Sequence, residues 1–257
     1  LIIILIVFAI IGPIISPYEY DQTDLNNVYA PMSWKHIFGT DELGRDVLTR
    51  VLYGARISLA VGFVASFLNL IIGVIYGGIS GYIGGRVDNI MMRIVDILYS
   101  VPILLIVILL MVVLRPGLTN VFIALGIAYW VGMARIVRGQ VLSLKEQEFT
   151  LAAKALGADR KRILLKHLIP NTIGPIIITA TLLIPDAIFF ESFLSFIGLG
   201  VSAPMASWGV LASDGARAFM SHPNLFLVPS LFICITMLSF NFLGDGLRDS
   251  LDPRLRK

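Results

Sequence analysis

At 257 residues, with 57% hydrophobic and 14% charged residues, a mean hydropathy of +0.86 and a net charge of +3, the chain is too apolar for a water-soluble domain. Its solvent is largely lipid. A single cysteine, Cys234, excludes an intrachain disulfide framework and a cysteine metal site, and His36, His167 and His222 lie apart without HExxH or comparable ligand spacing, so no metal or other cofactor is expected in this chain.

The apolar run 1–15 is shorter than the roughly 20 residues a spanning helix needs, so the chain is expected to begin inside its first helix. It has neither the basic leader nor the small-residue cleavage pattern of a signal peptide. In the polar piece 16–56, Thr40 precedes Asp41 and Glu42 as a helix cap with acids in the first turn, and Leu43, Val47, Val51 and Ala55 share one face. This predicts an amphipathic helix at the outer surface, serving as an interfacial prop for the bundle or as a docking face. A long apolar run at 57–83 follows, with Gly73, Gly77 and Gly81 at four-residue spacing and Gly78, Gly84 and Gly85 nearby. Such spacing permits close helix crossing, within the chain or at a subunit interface.

Further apolar runs at 101–114, 121–137, 172–199 and 225–243 complete six predicted spans, the third of them extensible through 94–100. Between the fourth and fifth lies a charged insert, residues 148–171. There Phe149, Ala152, Ala153 and Leu156 recur at helical spacing, Gly157 supplies a left-handed residue to end a helix, Asp159 can cap a second one, and Pro170 is expected to stop it. In the fifth run Pro185 precedes Asp186, with Glu191 five residues further on. Acids inside a span are suspects for a transport pathway, and the proline could turn both inward; interhelical hydrogen bonding is the structural alternative. In the outer piece 200–224, Ser207 and Trp208 predict a short helix with an interfacial tryptophan.

Orientation follows from the basic residues, which cytoplasmic flanks retain. Six of the 20, Lys35, Arg45, Arg50, Arg56, Arg115 and Arg217, fall on one side, and the remaining fourteen fall on the other with the insert. Both termini are therefore expected in the cytoplasm of a multi-pass inner-membrane protein. The expected divisions are 1–56, a first helix with the outer segment; 57–249, the transmembrane domain; and 250–257, a basic cytoplasmic tail. No GxxxxGK[ST] phosphate loop, GxSxG elbow or histidine cluster occurs, so the chain is not expected to be an enzyme, and energy from ATP must enter through another polypeptide. The insert suits such contact, since Ala152, Ala153, Ala155 and Gly157 offer small side chains to a close-fitting cleft. The basic cluster Arg160, Lys161, Arg162 and Lys166 suits anionic lipid headgroups, and lipid contact is compatible with docking.

Three stretches together resemble a known family. FGTDELGRDVLTRVLYGARISLAVG (38–62), LAAKALG from Leu151 with Ile169 and Pro170, and ESFLSFIGLGVSAPMASWGVLASDGA (191–216) are similar to the membrane subunits of the dipeptide/oligopeptide/nickel branch of ATP-binding cassette importers, of the C-type permease. The middle stretch resembles the importer EAA loop, with Leu151 standing where the pattern has glutamate and His167 where it has isoleucine; Glu148 is the nearer acidic substitute.

The resemblance implies an all-α polytopic membrane fold with a cytoplasmic coupling-helix loop. It implies a pore half that pairs with a homologous B-type permease, two cytoplasmic ATPase subunits docked on the loops, and an extracytoplasmic solute-binding protein, with membrane lipid and no nucleic acid as further surroundings. It places Leu151, Ala152, Ala153, Ala155, Leu156 and Gly157 in the ATPase cleft, with Pro170 closing the motif. Di- or oligopeptides are the implied solutes, nickel or another small solute the alternative. The rival class, an ion-coupled secondary transporter, predicts inverted repeats, which are not found, and uptake by the isolated chain.

Overall fold

The computed structural model describes residues 1–251; all but the first two residues of the expected tail at 250–257 lie outside them. The chain divides into two compact units, Leu1–Val64 with Ile108–Ala124 and Ile184–Asn241, and a second comprising Ala65–Val107, Leu125–Leu183 and the residues from Phe242 on. Several helices contribute to both. In chain order they are α1 (Ile2–Ile15), α2 (Val47–Ile83), α3 (Gly85–Ser100), α4 (Ile103–Leu114), α5 (Leu118–Lys145), α6 (Glu148–Ala155), α7 (Arg160–Arg162), a π-helical stretch Ile163–Leu168, α8 (Ile169–Asn171), α9 (Ile173–Phe196), α10 (Trp208–Arg217) and α11 (Asn224–Leu251).

Four of these, α2, α5, α9 and α11, are long and apolar enough to cross a membrane, and α3 with α4 makes five if the bent pair is one span. The pair turns by 85°. Val101 before Pro102 is extended (φ −93°, ψ 131°), as the ring of a following proline demands, so residues 94–100 lie in a helix of their own and join the third span only across this bend. By itself α4 is 12 residues long. At 14 residues, α1 is shorter than the spanning length and is not among the four.

In the first unit the predicted outer helix takes a different form. Val47, Val51 and Ala55 do line one buried stripe, joined by Leu59, but they are the opening turns of α2 and not a separate amphipathic helix. Asp46, not Thr40, caps them, its carboxylate accepting from the Thr49 N–H at 2.8 Å. Residues 40–46 are held instead as a turn. Gly44 there has φ +72°, and a Cβ on it would fall 1.8 Å from the Asp24 carbonyl oxygen, so the backbone cannot run helically from Thr40. Leu43 is left exposed.

The Asp41 carboxylate closes that turn by accepting from the Leu43 and Arg45 backbone N–H groups (2.9 and 3.0 Å), from Arg45 Nε (2.7 Å) and from Arg50 Nη1 (2.6 Å). Both arginines are buried. Asp41→Ala strands Arg45 and leaves Arg50 with only the Asp214 carboxylate at 3.8 Å, and the expected cost is about 3–5 kcal/mol, the range for removing one partner of a buried ion pair. Thermal unfolding of the purified protein in detergent checks this. The unit's core is apolar: Ala9, Val51, Leu59, Ile188, Trp208 and Phe240 pack together.

In the second unit the glycine seam of α2 meets α5. Cβ atoms at Gly73, Gly77 and Gly81 would fall 2.5 Å from Met133 Cβ, 2.3 Å from the Ala134 oxygen and 2.9 Å from the Arg138 oxygen. Of the two roles open to such spacing, crossing within the chain is the one occupied. Beside the seam, Asp88 of α3 takes Arg138 Nε at 2.6 Å and Nη2 at 2.5 Å while accepting from Ser80 Oγ, and Lys145 Nζ donates to the Tyr82 carbonyl at 2.6 Å near the end of α2. A core of Met133, Val137, Val141, Ala153, Ile163 and Leu168 anchors the insert on α5.

Candidate functional site

The insert is built as a rigid elbow. Glu148 lies in the first turn of α6, where its charge favours the helix dipole. Thr150 is fully buried and donates to the Leu144 carbonyl at 2.8 Å, and Ala153 packs into the unit's core. The far end of α6 closes with the two bonds of a Schellman motif, Ala158 N–H to Ala153 O and Gly157 N–H to Lys154 O, each 3.0 Å. Gly157 takes the left-handed conformation the motif needs, φ +80°, and nothing lies within 4 Å of where a Cβ would be. Asp159 then caps the returning arm, accepting from the Arg162 N–H at 3.1 Å.

Six of the seven residues singled out in the insert are thereby turned outward and one inward. Leu151 (52% exposed), Ala152, Ala155, Leu156 (88%) and Gly157 form an exposed, mostly apolar tip, while Ala153 is buried and offers nothing to a partner. Residue type could not separate Ala153 from Ala152 and Ala155; the buried Thr150 three positions earlier marks the inward face. Phe149, 40% exposed, lies three residues before Ala152 and seven before Leu156, so it adds to the same outward surface.

Pro170, the seventh, is exposed but does not stop the second helix. The arm continues from Arg160 to Asn171, widening to a π-helix over Ile163–Leu168, where the Ile169 N–H bonds back to the Leu164 carbonyl. A proline ring clashes with the carbonyl four residues earlier in an α-helix, and the wider turn just before Pro170 relieves that clash. The break comes at Thr172 (φ −98°, ψ 0°), and α9 starts at Ile173.

The two acids of α9 part company. Pro185 is buried inside a helix that runs through it, Asp186 sits on the exposed face, and Glu191 is completely buried. Only one of them is turned inward. Glu191 Oε1 accepts from Ser195 Oγ at 2.7 Å and Oε2 from Ser58 Oγ of α2 at 3.2 Å. Each hydroxyl is itself an acceptor: Ser58 Oγ takes the Trp208 N–H (3.2 Å) and Ser195 Oγ the Val201 N–H (3.3 Å). One carboxylate thus ties α2, α9, the loop after α9 and the start of α10.

The glycines around this knot are spacing elements. A Cβ on Gly209 would fall 2.4 Å from Ser192 Cα, and one on Gly200 would fall 2.0 Å from Ser195 Oγ. The short helix expected here is α10, capped by Ser207, which accepts from the Val210 N–H, but Trp208 is not an interfacial anchor. It is fully buried, and its Nε1–H donates to the Val51 carbonyl at 3.0 Å. Among the described residues no group of three His, Cys, Asp or Glu side chains converges as a metal site.

Residues 70–257 match the family described as the inner membrane component of binding-protein-dependent transport systems, and residues 1–31 match the N-terminal transmembrane domain of oligopeptide transport permease C. The oligopeptide transport system permease protein OppC of Bacillus subtilis is 56% identical over 257 residues, covering 100% of this chain and 84% of that protein. The dipeptide permease protein DppC of the same organism is 55% identical, covering 100% of this chain and 81% of that protein, and the OppC protein of Escherichia coli K12 is 47% identical, covering 99% and 85%. Among solved structures, the inward-facing MetNI methionine ABC transporter superposes with a TM-score of 0.64 at 18% identity over 79% of this chain and 96% of that one. At that identity the likeness is one of fold.

Proposed function

The chain belongs to the family of binding-protein-dependent transport system inner membrane components, and from that premise we propose that it forms one half of the translocation pathway of an ATP-driven importer of di- or oligopeptides. Its partners in this reading are a homologous B-type permease, two cytoplasmic ATPase subunits and an extracytoplasmic solute-binding protein. Six spans, counting α1 and the bent α3–α4 pair, with both termini and the insert in the cytoplasm, agree with the distribution of basic residues. Residues 57–249 are the transmembrane domain in this reading.

The observation that carries the proposal is the build of the insert. Thr150, Ala153, Ile163 and Leu168 are buried, while Leu151, Ala152, Ala155, Leu156 and Gly157 project from the capped end of α6. A single exposed leucine would be ordinary, but Phe149, Leu151 and Leu156 exposed together around a fixed helix end form an apolar patch that suits a cleft in another protein. In the membrane, Glu191 belongs to the scaffold, and Asp186 is the acid left facing outward from α9, the one available to line the pathway.

Two substitutions test the docking role. Gly157→Val places a β-branched residue at φ +80°, a strain of roughly 1–2 kcal/mol on the Schellman turn. Leu156→Asp removes an apolar contact of about 2 kcal/mol, close to thirtyfold in affinity. Both variants are expected to insert in the membrane normally while ATPase subunits fail to copurify and uptake of radiolabelled peptide falls. Wild-type uptake in both would overturn the assignment of this tip as the motor contact. Binding of dipeptides, longer peptides and nickel to the copurified external protein identifies the solute.

A further inference from the structure

On the second unit, the last turns of α2 and the returning arm of the insert leave a groove of about 430 Å³ between them. Its walls are apolar, formed chiefly by Val74, Gly78 and Tyr82 of α2 and by Leu164, Leu165 and Ile169 of the arm. Gly78 keeps it open: a side chain there would start 3.3 Å from Ile169 Cδ1 and 3.8 Å from Leu164 Cδ1 and grow into the space between the two walls. The groove is not roofed, since Ile75 (57%), Ile79 and Ile83 on one side and Leu165 on the other are exposed along it.

Among the described residues, those that line the groove and carry charge are Arg160 and Lys161. Both are exposed, and neither forms an ion pair among the described residues. Asp159, their neighbour, is engaged in capping the arm. An open apolar slot joined to two unneutralised cations is complementary to one kind of molecule, an amphiphile with an acyl chain and an anionic head. A soluble anion would leave the slot exposed, and a zwitterionic lipid, whose ammonium offsets its phosphate, would bring no net charge to the two cations.

We propose that this groove is a binding site for one anionic phospholipid of the cytoplasmic leaflet, its phosphate held by Arg160 and Lys161 and an acyl chain lying over Gly78 between α2 and the arm. The proposal rests on the sidedness adopted above. The bound lipid would splint the arm to α2, and through Ile163 and Leu168 it would steady the elbow that presents α6. The composition of the inner leaflet thereby bears on coupling.

The test uses the importer purified with whatever subunits accompany this chain, in nanodiscs of phosphatidylcholine mixed with phosphatidylglycerol in equal parts. Phosphatidylglycerol retained after release is counted by native mass spectrometry. The double variant Arg160→Gln/Lys161→Gln is expected to weaken retention about thirtyfold, from two basic residues at about 1 kcal/mol each. Gly78→Leu, which fills the slot, and Leu165→Asp, which places a carboxylate on its exposed wall, are expected to lose the same lipid with the cations intact. Loss in the charge variant alone would reduce the site to surface attraction and overturn the slot; equal retention in all variants would overturn the site altogether. The count involves no solute and no ATP turnover, so failure of the peptide-import reading would leave it standing.

Discussion

Replacing Gly77 by leucine should prevent the protein from accumulating in the membrane, and even Gly77→Ala should lower its thermal stability measurably. The first atom added at this position would sit 2.3 Å from the Ala134 carbonyl oxygen and 3.0 Å from both its carbon and the Arg138 nitrogen. All three are backbone atoms of α5, so no rotamer change relieves the overlap. The helices must separate. Overpacking a well-filled site costs typically about 1–3 kcal/mol and occasionally more, and a contact with helix backbone belongs at the upper end for alanine and beyond it for leucine.

Separation of α2 from α5 would also lengthen the Lys145–Tyr82 bond that spans the same junction and pull on the Ser80–Asp88–Arg138 link beside it. Gly132→Ala on α5 is the control, because nothing lies within 4 Å of its added methyl. That variant should be neutral or stabilised by up to about 1 kcal/mol from helix propensity. Melting in detergent and the amount of protein extracted from membranes are the measurements. A Gly77→Leu protein as stable as Gly132→Ala would mean that the seam is not closed in the membrane.

Glu191→Ala is expected to be strongly destabilising in the first unit. It removes the acceptor of two hydroxyl bonds, each contributing about 0.5–1.5 kcal/mol; it also leaves Ser58 and Ser195 buried with one partner fewer and opens a void. A loss of roughly 3 kcal/mol or more is expected. Glu191→Gln keeps the volume and one acceptor oxygen, so it should retain a good part of the stability and most of the uptake. A pathway acid behaves in the opposite manner, with Gln and Ala variants equally stable and both impaired in transport. Comparing melting temperature with peptide uptake across the two substitutions separates the roles. An Ala variant with unchanged melting would refute the structural assignment.

Much of this architecture could be read from residue order. Helix formation in lipid leaves no backbone group to satisfy outside the helix, so apolar run length alone located α2, α5, α9 and α11. The elbow at Gly157 and the cap at Asp159 were legible too, since both depend on local backbone geometry. The outer segment was misread for a non-local reason. Val47, Val51 and Ala55 have the right period, but residue 24 passes against Gly44 and postpones the helix, and nothing near residue 40 announces that approach. Pro170 was misread because a π-turn accommodates it, and that widening has no sequence signature.

Composition, span length and three ordered motifs were therefore enough to establish a helical membrane protein of an importer family, with its insert marked out as the exposed joint. These are properties of single segments and their solvent. Which alanine of that insert faces inward, which of two acids in α9 is enclosed, and whether a glycine ladder serves a neighbour or the chain itself depended on contacts between distant residues. Glu191 meets Ser58, 133 positions away, and Asp88 meets Arg138, 50 positions away. Such pairings arise from side-chain fit across packed helices, and no periodicity within either helix encodes them.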